Sequence, residues 1–188
     1  TRSSRNDKGG TTVILDLLLG YLIGSILGGT LFKYISRTDL AQVGSGNIGA
    51  RNAHRAGGLP AFLFVYLFDA AKTVFALQIT DTFYPVALAV LIGHLFPLFH
   101  PRRGGKGYAV FSGIVFAITP WAYLAGLGIL GLSYLVTKDS VKAGLIPVVL
   151  LPLLPVFLDA GSVNILCTVA VSLLVLWAHD ALHKPAIT

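Results

Sequence analysis

Apolar runs at about 12–35, 59–79, 82–100, 108–119, 120–137, 143–158 and 162–178 occupy most of this 188-residue chain. A backbone N–H or C=O left unpaired in a lipid interior costs several kcal/mol, so segments of this kind cross a bilayer only as helices or closed barrels. About 20 apolar residues suffice for one helical crossing. The expected fold is all-α: a polytopic integral membrane helical bundle of about seven transmembrane helices. The fourth run is the shortest, ending at Thr119-Pro120, and short runs fit by tilting or by thinning the bilayer. Only 12% of the residues are charged, against about 25% in a soluble domain.

Charge gives the expected orientation. Fourteen Lys and Arg face eight Asp, with no Glu, for a net charge of +6. The segments after runs 1, 3, 5 and 7 hold ten cations: Lys33, Arg37, Arg51, Arg55, Arg102, Arg103, Lys106, Lys138, Lys142 and Lys184. The other side holds Arg2, Arg5 and Lys8, while Lys72 lies within a run. Basic loops stay cytoplasmic, so the N-terminus is expected outside and the C-terminus inside. An even number of crossings would scatter the basic loops over both faces. Basic excess on such a chain reflects topology and anionic headgroups, so membrane lipids are expected partners and nucleic acid is not.

Residues 1–10 read as a polar tail and 11–188 as a single transmembrane domain. The chain begins with Thr1 and holds no Met, so its first residues read either as a processed end or as an added, non-native remnant. The tail lacks the order of a signal peptide, because the run after it is too long and has no small-residue cleavage site. Cys167, the one cysteine, lies in an apolar run and reads as a small buried hydrophobe.

Two polar stretches carry most of the chemistry. The first is Gly44-Ser45-Gly46-Asn47-Ile48-Gly49-Ala50-Arg51-Asn52-Ala53-His54-Arg55, within an expected loop of about 22 residues. The second runs from Gly93-His94-Leu95-Phe96-Pro97 to Arg102-Arg103-Gly104-Gly105-Lys106-Gly107. Glycines let backbone amides approach a ligand, and cationic side chains complete an anion cradle. Arg adds a planar fork suited to phosphate. A flexible, headgroup-facing loop is the plainer reading of the first stretch, and a topology signal that of Arg102 and Arg103. Gly-Lys lacks the spacing and hydroxyl of a nucleotide-binding P-loop, so nucleotide hydrolysis is not expected.

Asp69 and Lys72 stand at i, i+3 within a run, where they can pair as a structural brace or serve the chemistry. Asp16 is ambiguous in the same way. Ser140, His179, Asp180 and His183 fall on the expected cytoplasmic face, as site residues or as ordinary interfacial ones. No Cys/His or carboxylate cluster has metal-ligand spacing, and Gly44-Ser45-Gly46 lacks the spacing of a nucleophile elbow.

Residues 44–52 with Arg55, then Asp69-x-x-Lys72, Gly93-His94-x-Phe96-Pro97 and Gly104-Gly105-Lys106-Gly107, resemble in order the signatures of the bacterial acyl-phosphate:glycerol-3-phosphate acyltransferases, the PlsY family. The resemblance extends over all seven runs. It implies a seven-span helical enzyme of the bacterial inner membrane with its active site facing the cytoplasm. The implied reaction moves a fatty acyl group from acyl phosphate, rather than acyl-CoA or acyl carrier protein, to the 1-hydroxyl of glycerol 3-phosphate. Lysophosphatidic acid and phosphate result, a step of phospholipid biosynthesis that needs no cofactor or metal.

By the same resemblance the catalytic residues are Ser45, Arg55, Lys106 and His179. Ser45, Arg55 and Lys106 hold the phosphate of glycerol 3-phosphate, with Ser140 nearby. Asn47, Gly49, Asn52, Gly104, Gly105 and Gly107 shape the cradle for acyl phosphate, to which Arg51 adds a charge. The base is His179 or the donor phosphate. The enzyme supplying acyl phosphate is an implied partner. The chain departs from the family pattern at Arg51 (usually Thr), at Gly144 (usually a second Ser) and after His179, where Asp180-Ala181-Leu182-His183-Lys184 replaces the usual Arg and Asn. Two rivals stay open: a paralogue acylating another phosphorylated polyol, and a non-catalytic anion- or lipid-binding membrane protein or phosphate-ester transporter. A transporter would want more polar residues at the midplane than Asp16, Asp69 and Lys72.

Overall fold

A computed structural model describes residues 3–100, 104–150, 153 and 162–181, apart from the side chains of residues 3–9 and 181. Among the described residues eight α-helices follow in order: α1 (Ser3–Ser25), α2 (Gly28–Ser36), α3 (Ala50–Gln78), α4 (Phe83–Leu95), α5 (Tyr108–Ile118), α6 (Pro120–Thr137), α7 (Ser140–Leu150) and α8 (Ser162–Ala181). A 3-10 turn, Leu40–Gln42, lies between α2 and α3, and no strand occurs among the described residues. Arg102, Arg103, His183, Lys184, residues 154–158 of the sixth run and the side chains of Arg2, Arg5 and Lys8 lie outside the described residues.

Each apolar run contains a helix. Four stretches are long and apolar enough to cross a membrane: Gly10–Ser36, Ala50–Gln78, Pro120–Thr137 and Ser162–Asp180. The apolar helices α4, α5 and α7 have 13, 11 and 11 residues, fewer than the 20 or so of an upright crossing. Leu67, Val136, Leu166 and Leu173 point outward, as lipid-facing side chains do.

The structure departs from the simple reading in two places. The first run is not one helix: it breaks between Ser25 and Gly28. The expected loop of residues 36–58 is also shorter, because α3 starts at Ala50 and carries Arg51, Asn52, His54 and Arg55 on its first turns. Gly49 is the extended residue that starts this helix (φ −87°, ψ 168°), and the backbone kinks only at Gly57 and Gly58. Gly58 has φ +68°, a conformation that suits glycine, and Pro60 follows it on the resumed helix.

Lys72 fills the break between α1 and α2. Interrupting a helix frees carbonyl groups, and the Lys72 ammonium donates to Gly24 O at 3.0 Å and Ile26 O at 2.6 Å. It also pairs with Asp69 at 2.8 Å, as the i, i+3 spacing anticipates. The same Asp69 oxygen accepts the Gly28 N–H at 3.1 Å, at the start of α2. The pair is therefore a structural brace. Asp16 is structural too, accepting the Asp81 and Thr82 N–H groups and the Thr82 hydroxyl where α4 begins.

The central helix is α4. Its Val86, Val90, Leu91 and Leu95 are buried among Val110 and Ile114 of α5, Val148 of α7, and Val171 and Val175 of α8. Toward α1 the contact is backbone on backbone. A Cβ at Gly24 would strike Val90 O, and one at Gly93 would strike Tyr21 O. Without a hydrophobic drive between helices in lipid, close approach at small residues is what holds them together. A second cluster, Leu27, Leu40, Ile48, Ala53, Ala61 and Val65, pins the α2–α3 connection to the bundle. We predict that Gly24→Ala and Gly93→Ala each lower stability by about 1–3 kcal/mol, read as a shifted denaturation midpoint in detergent. Gly128→Ala, with nothing within 4 Å of its Cβ, should leave the midpoint unchanged or slightly raised. Equal losses at all three positions would contradict this packing.

Candidate active site

The first polar stretch is folded by one asparagine. Gly44 and Gly46 adopt left-handed conformations (φ +55° and +65°) on either side of Ser45. Asn52, one turn into α3 and fully buried, reaches back to this turn. Its Oδ1 accepts the Ser45 N–H at 3.0 Å, and its Nδ2 donates to Leu40 O at 2.8 Å and Val43 O at 2.9 Å. A Cβ on Gly44 would strike that Oδ1. Both amide protons of Asn52 are thus committed to the protein, so Asn52 shapes the cradle by folding its loop.

Gly49 then starts α3 without a side-chain cap, and its carbonyl accepts from Asn52 N and Ala53 N. The amides of Ala50 and Arg51 are left without intrahelical acceptors, as at any helix start. Asn47 sits beside Gly49, with its Nδ2 3.6 Å from where a Cβ would be. Arg51 and Arg55 are exposed and separated by one helical turn. The Arg55 side chain runs past Gly44, its Cδ 3.4 Å from the position of a Cβ there. Among the described residues, no carboxylate forms an ion pair with Arg51, Arg55 or Lys106.

Residues 104–107 lie on the end of α4. The Gly105 N–H donates to His94 O at 3.1 Å. A Cβ at Gly104 would strike Leu95 O, and one at Gly105 would fall on the His94 ring. Gly107, at φ +82°, starts α5. Upstream, Tyr21 Oη donates to Phe96 O at 2.9 Å and Leu98 N donates to Ser25 Oγ at 3.2 Å, tying this loop to α1.

Lys106 Nζ donates to His179 O at 3.3 Å, in the last turn of α8. Partial burial, and then the positive charge of Arg51, hold the Lys106 amine below the ordinary lysine range. His179 Nδ1 lies 2.9 Å from Val175 O. A carbonyl only accepts, so Nδ1 carries the proton and the Nε2 lone pair is free to take one. Arg51 and Lys106 both act electrostatically on His179. Arg51 also reaches Asp139, whose carboxyl is held below its usual range by the N–H groups of Val141 and Lys142, with the Lys142 and Arg51 charges adding to the effect.

Lys106 thus ties the second polar stretch to the end of α8, and Arg51 of the first stretch acts on both electrostatically. The geometry brings together Arg51, Lys106 and His179, with Asp139 alongside, and separately Ser45, Asn52 and Arg55. Ser140 is exposed at the start of α7, next to Asp139. Among the described residues, no hydrogen bond joins it to Lys106 or His179. A Cβ at Gly144 would meet the Tyr108 ring at 3.5 Å, an ordinary contact that leaves room for the serine usual in the resembled family. The sequence placed His94 in a signature without a role for it; its Nδ1 lies 3.1 Å from Lys72 Nζ. Which partner a buried histidine meets across the bundle is not written in its spacing.

Comparison with known proteins agrees with this fold. Residues 14–185 match the family described as glycerol-3-phosphate acyltransferase. A glycerol-3-phosphate acyltransferase of Anaeromyxobacter sp. (strain Fw109-5) is 41% identical over 142 residues, 68% of this chain and 70% of that protein. One from Endomicrobium trichonymphae is 33% identical over 174 residues, 88% and 87% of the two chains. The crystal structure of PlsY (YgiH), an integral membrane glycerol 3-phosphate acyltransferase in its glycerol 3-phosphate form, superposes with a TM-score of 0.78 at 25% identity, covering 94% of this chain and 96% of that one. Its lysophosphatidic acid form superposes equally well. The chain belongs to the glycerol-3-phosphate acyltransferase family.

Proposed function

We propose that this chain transfers a fatty acyl group from acyl phosphate to the 1-hydroxyl of glycerol 3-phosphate, giving lysophosphatidic acid and phosphate. In this reading it crosses a bacterial inner membrane seven times, as one domain, with the site on the cytoplasmic face. The observation that carries the proposal is the hydrogen bond from Lys106 of the second stretch to the His179 carbonyl of α8, with Arg51 of α3 near enough to act electrostatically on both. Among the described residues Arg55 and Lys106 form no ion pair with a carboxylate, and such cations suit anionic substrates. The likeness to PlsY, solved with glycerol 3-phosphate and with lysophosphatidic acid, supports the choice of acceptor and product.

Arg55, Lys106 and Ser45 hold the acceptor phosphate, and Lys106 has two N–H donors to spare beyond its bond to His179 O. Arg51, Asn47 and the amides of Gly49, Gly104, Lys106 and Gly107 face the acyl phosphate, with Ser140 at the rim, while the Gly105 N–H stays on the His94 carbonyl. The acceptor hydroxyl oxygen forms a bond to the acyl carbon, the acyl–phosphate C–O bond breaks, and phosphate leaves with the electron pair. His179 Nε2 takes the hydroxyl proton and returns it to the departing phosphate. The donor is already activated, so positioning and charge stabilisation suffice and no protein nucleophile is needed. An enzyme that makes acyl phosphate supplies the donor.

Purified protein given acyl phosphate and glycerol 3-phosphate should release phosphate and form lysophosphatidic acid. Product only with a different phosphorylated polyol would correct the acceptor, and binding without turnover would replace the enzyme with a binding protein. Lys106→Ala and Arg55→Ala should each reduce turnover at least about tenfold, since each removes a charge-assisted contact of about 1.5–3 kcal/mol. Near-parental rates in both would remove the cradle assignment.

The pH dependence has a definite sign. Burial and Arg51 both favour the neutral Lys106 amine, so it loses its proton at lower pH than an ordinary lysine, near 10.4. The KM for glycerol 3-phosphate should rise with increasing pH on an alkaline limb below that value. Arg51→Thr should move the limb upward, and Lys106→Arg should abolish it. An identical limb in all three proteins would contradict the assignment.

A further inference from the structure

Two phosphate loops on separate elements need a common reference if their spacing is to be held within a fraction of an ångström. The buried polar group at the α1–α2 break touches the support of both. Lys72 Nζ faces Gly24 O, Ile26 O, Asp69 Oδ1 and His94 Nδ1, at 3.0, 2.6, 2.8 and 3.1 Å. An ammonium cannot accept a hydrogen bond, so the Nδ1 lone pair of His94 faces it and the ring proton sits on Nε2. That edge of the ring meets Gly105, whose α-carbon lies against Nε2, where a Cβ would collide. Gly105 N–H also donates to the His94 carbonyl. The next residue is Lys106.

The other branch leads to the first loop. Asp69 accepts the Gly28 N–H. Gly29 then presses on the Ile48 carbonyl, leaving no room for a side chain. Ile48 lies between Asn47 and Gly49. Asp69, Lys72 and His94 are all buried, out of reach of a substrate held at the loops, so they act only through what they support.

We propose that Asp69, Lys72 and His94 are positioning residues that set the separation of the two loops, with the His94 ring fixing the height of Gly105 and hence of Lys106. For its kinetic consequences this rests on the acyltransferase reading. The contact itself does not.

The test is a double-mutant cycle in the full chain with Gly105→Ala, His94→Asn and the pair. Asparagine keeps an acceptor for Lys72 and ends short of Nε2, so it makes room for the added methyl. Amide hydrogen exchange of the peptide over residues 104–108 and the KM for glycerol 3-phosphate are read for each protein. Gly105→Ala in the parent should speed exchange and raise KM at least about tenfold, while adding it to His94→Asn should change either by less than about twofold. Independent, multiplying effects, or parental values for Gly105→Ala, overturn the proposal. A merely structural histidine predicts loss of folded protein, with no coupling to Gly105. Lys72→Met should speed exchange over residues 44–52 and 104–108 together, and loosening confined to residues 24–28 would count against the shared reference. If the parent forms no lysophosphatidic acid, the function fails while the exchange cycle still decides the positioning role. Normal turnover with no coupling leaves the function standing and removes the role.

Discussion

A lysine ammonium inside the break of a helix is the interaction on which the rest of this structure rests. Charge in a bilayer is expensive unless it is paired and hydrogen-bonded. Lys72 meets both conditions with the carbonyls of Gly24 and Ile26 and the carboxylate of Asp69. The break and the lysine are mutually dependent. An unbroken helix would have no free carbonyls to offer, and the open carbonyls without a donor would be unsatisfied groups in an apolar surround. After this point α2 starts, the α2–α3 connection follows it, and Leu40 and Ile48 are drawn into the bundle.

Close approach of backbone does the remaining work of assembly. Glycines allow α1 to lie on α4 and allow residues 104–107 to lie on the end of α4. Both polar stretches are therefore fixed to rigid helices instead of hanging from flexible loops, which is what holding two anions in register requires. The cations that result repel one another: Arg51 depresses the proton affinity of the Lys106 amine. Bound phosphate would relieve that repulsion, so ligand and site stabilise each other.

Much of the architecture was readable in the residues. Apolar runs locate the helices because burial of backbone polar groups in lipid leaves few alternatives, and the i, i+3 spacing of Asp69 and Lys72 anticipated their pairing. The break after Ser25 was not readable from hydropathy, since Ile26 and Leu27 are strongly apolar; the flanking Gly24-Ser25 and Gly28-Gly29 were its local marks. Asn52 looked like a ligand for substrate because its type and position allow it. Its commitment to Leu40 O and Val43 O depends on a turn seen only in three dimensions. The joining of Arg51 to Lys106 and His179 is likewise a tertiary fact, since those residues lie far apart along the chain.

The central claim is that both polar stretches form one substrate site on a scaffold held by Lys72. An experimental structure of the protein with glycerol 3-phosphate bound tests it most directly. The phosphate should lie within hydrogen-bonding distance, about 3 Å, of Lys106 Nζ and the Arg55 guanidinium, with Lys72 still seated in the helix break. Phosphate bound away from both loops, or Lys72 withdrawn from the break while the loops keep their places, would contradict it.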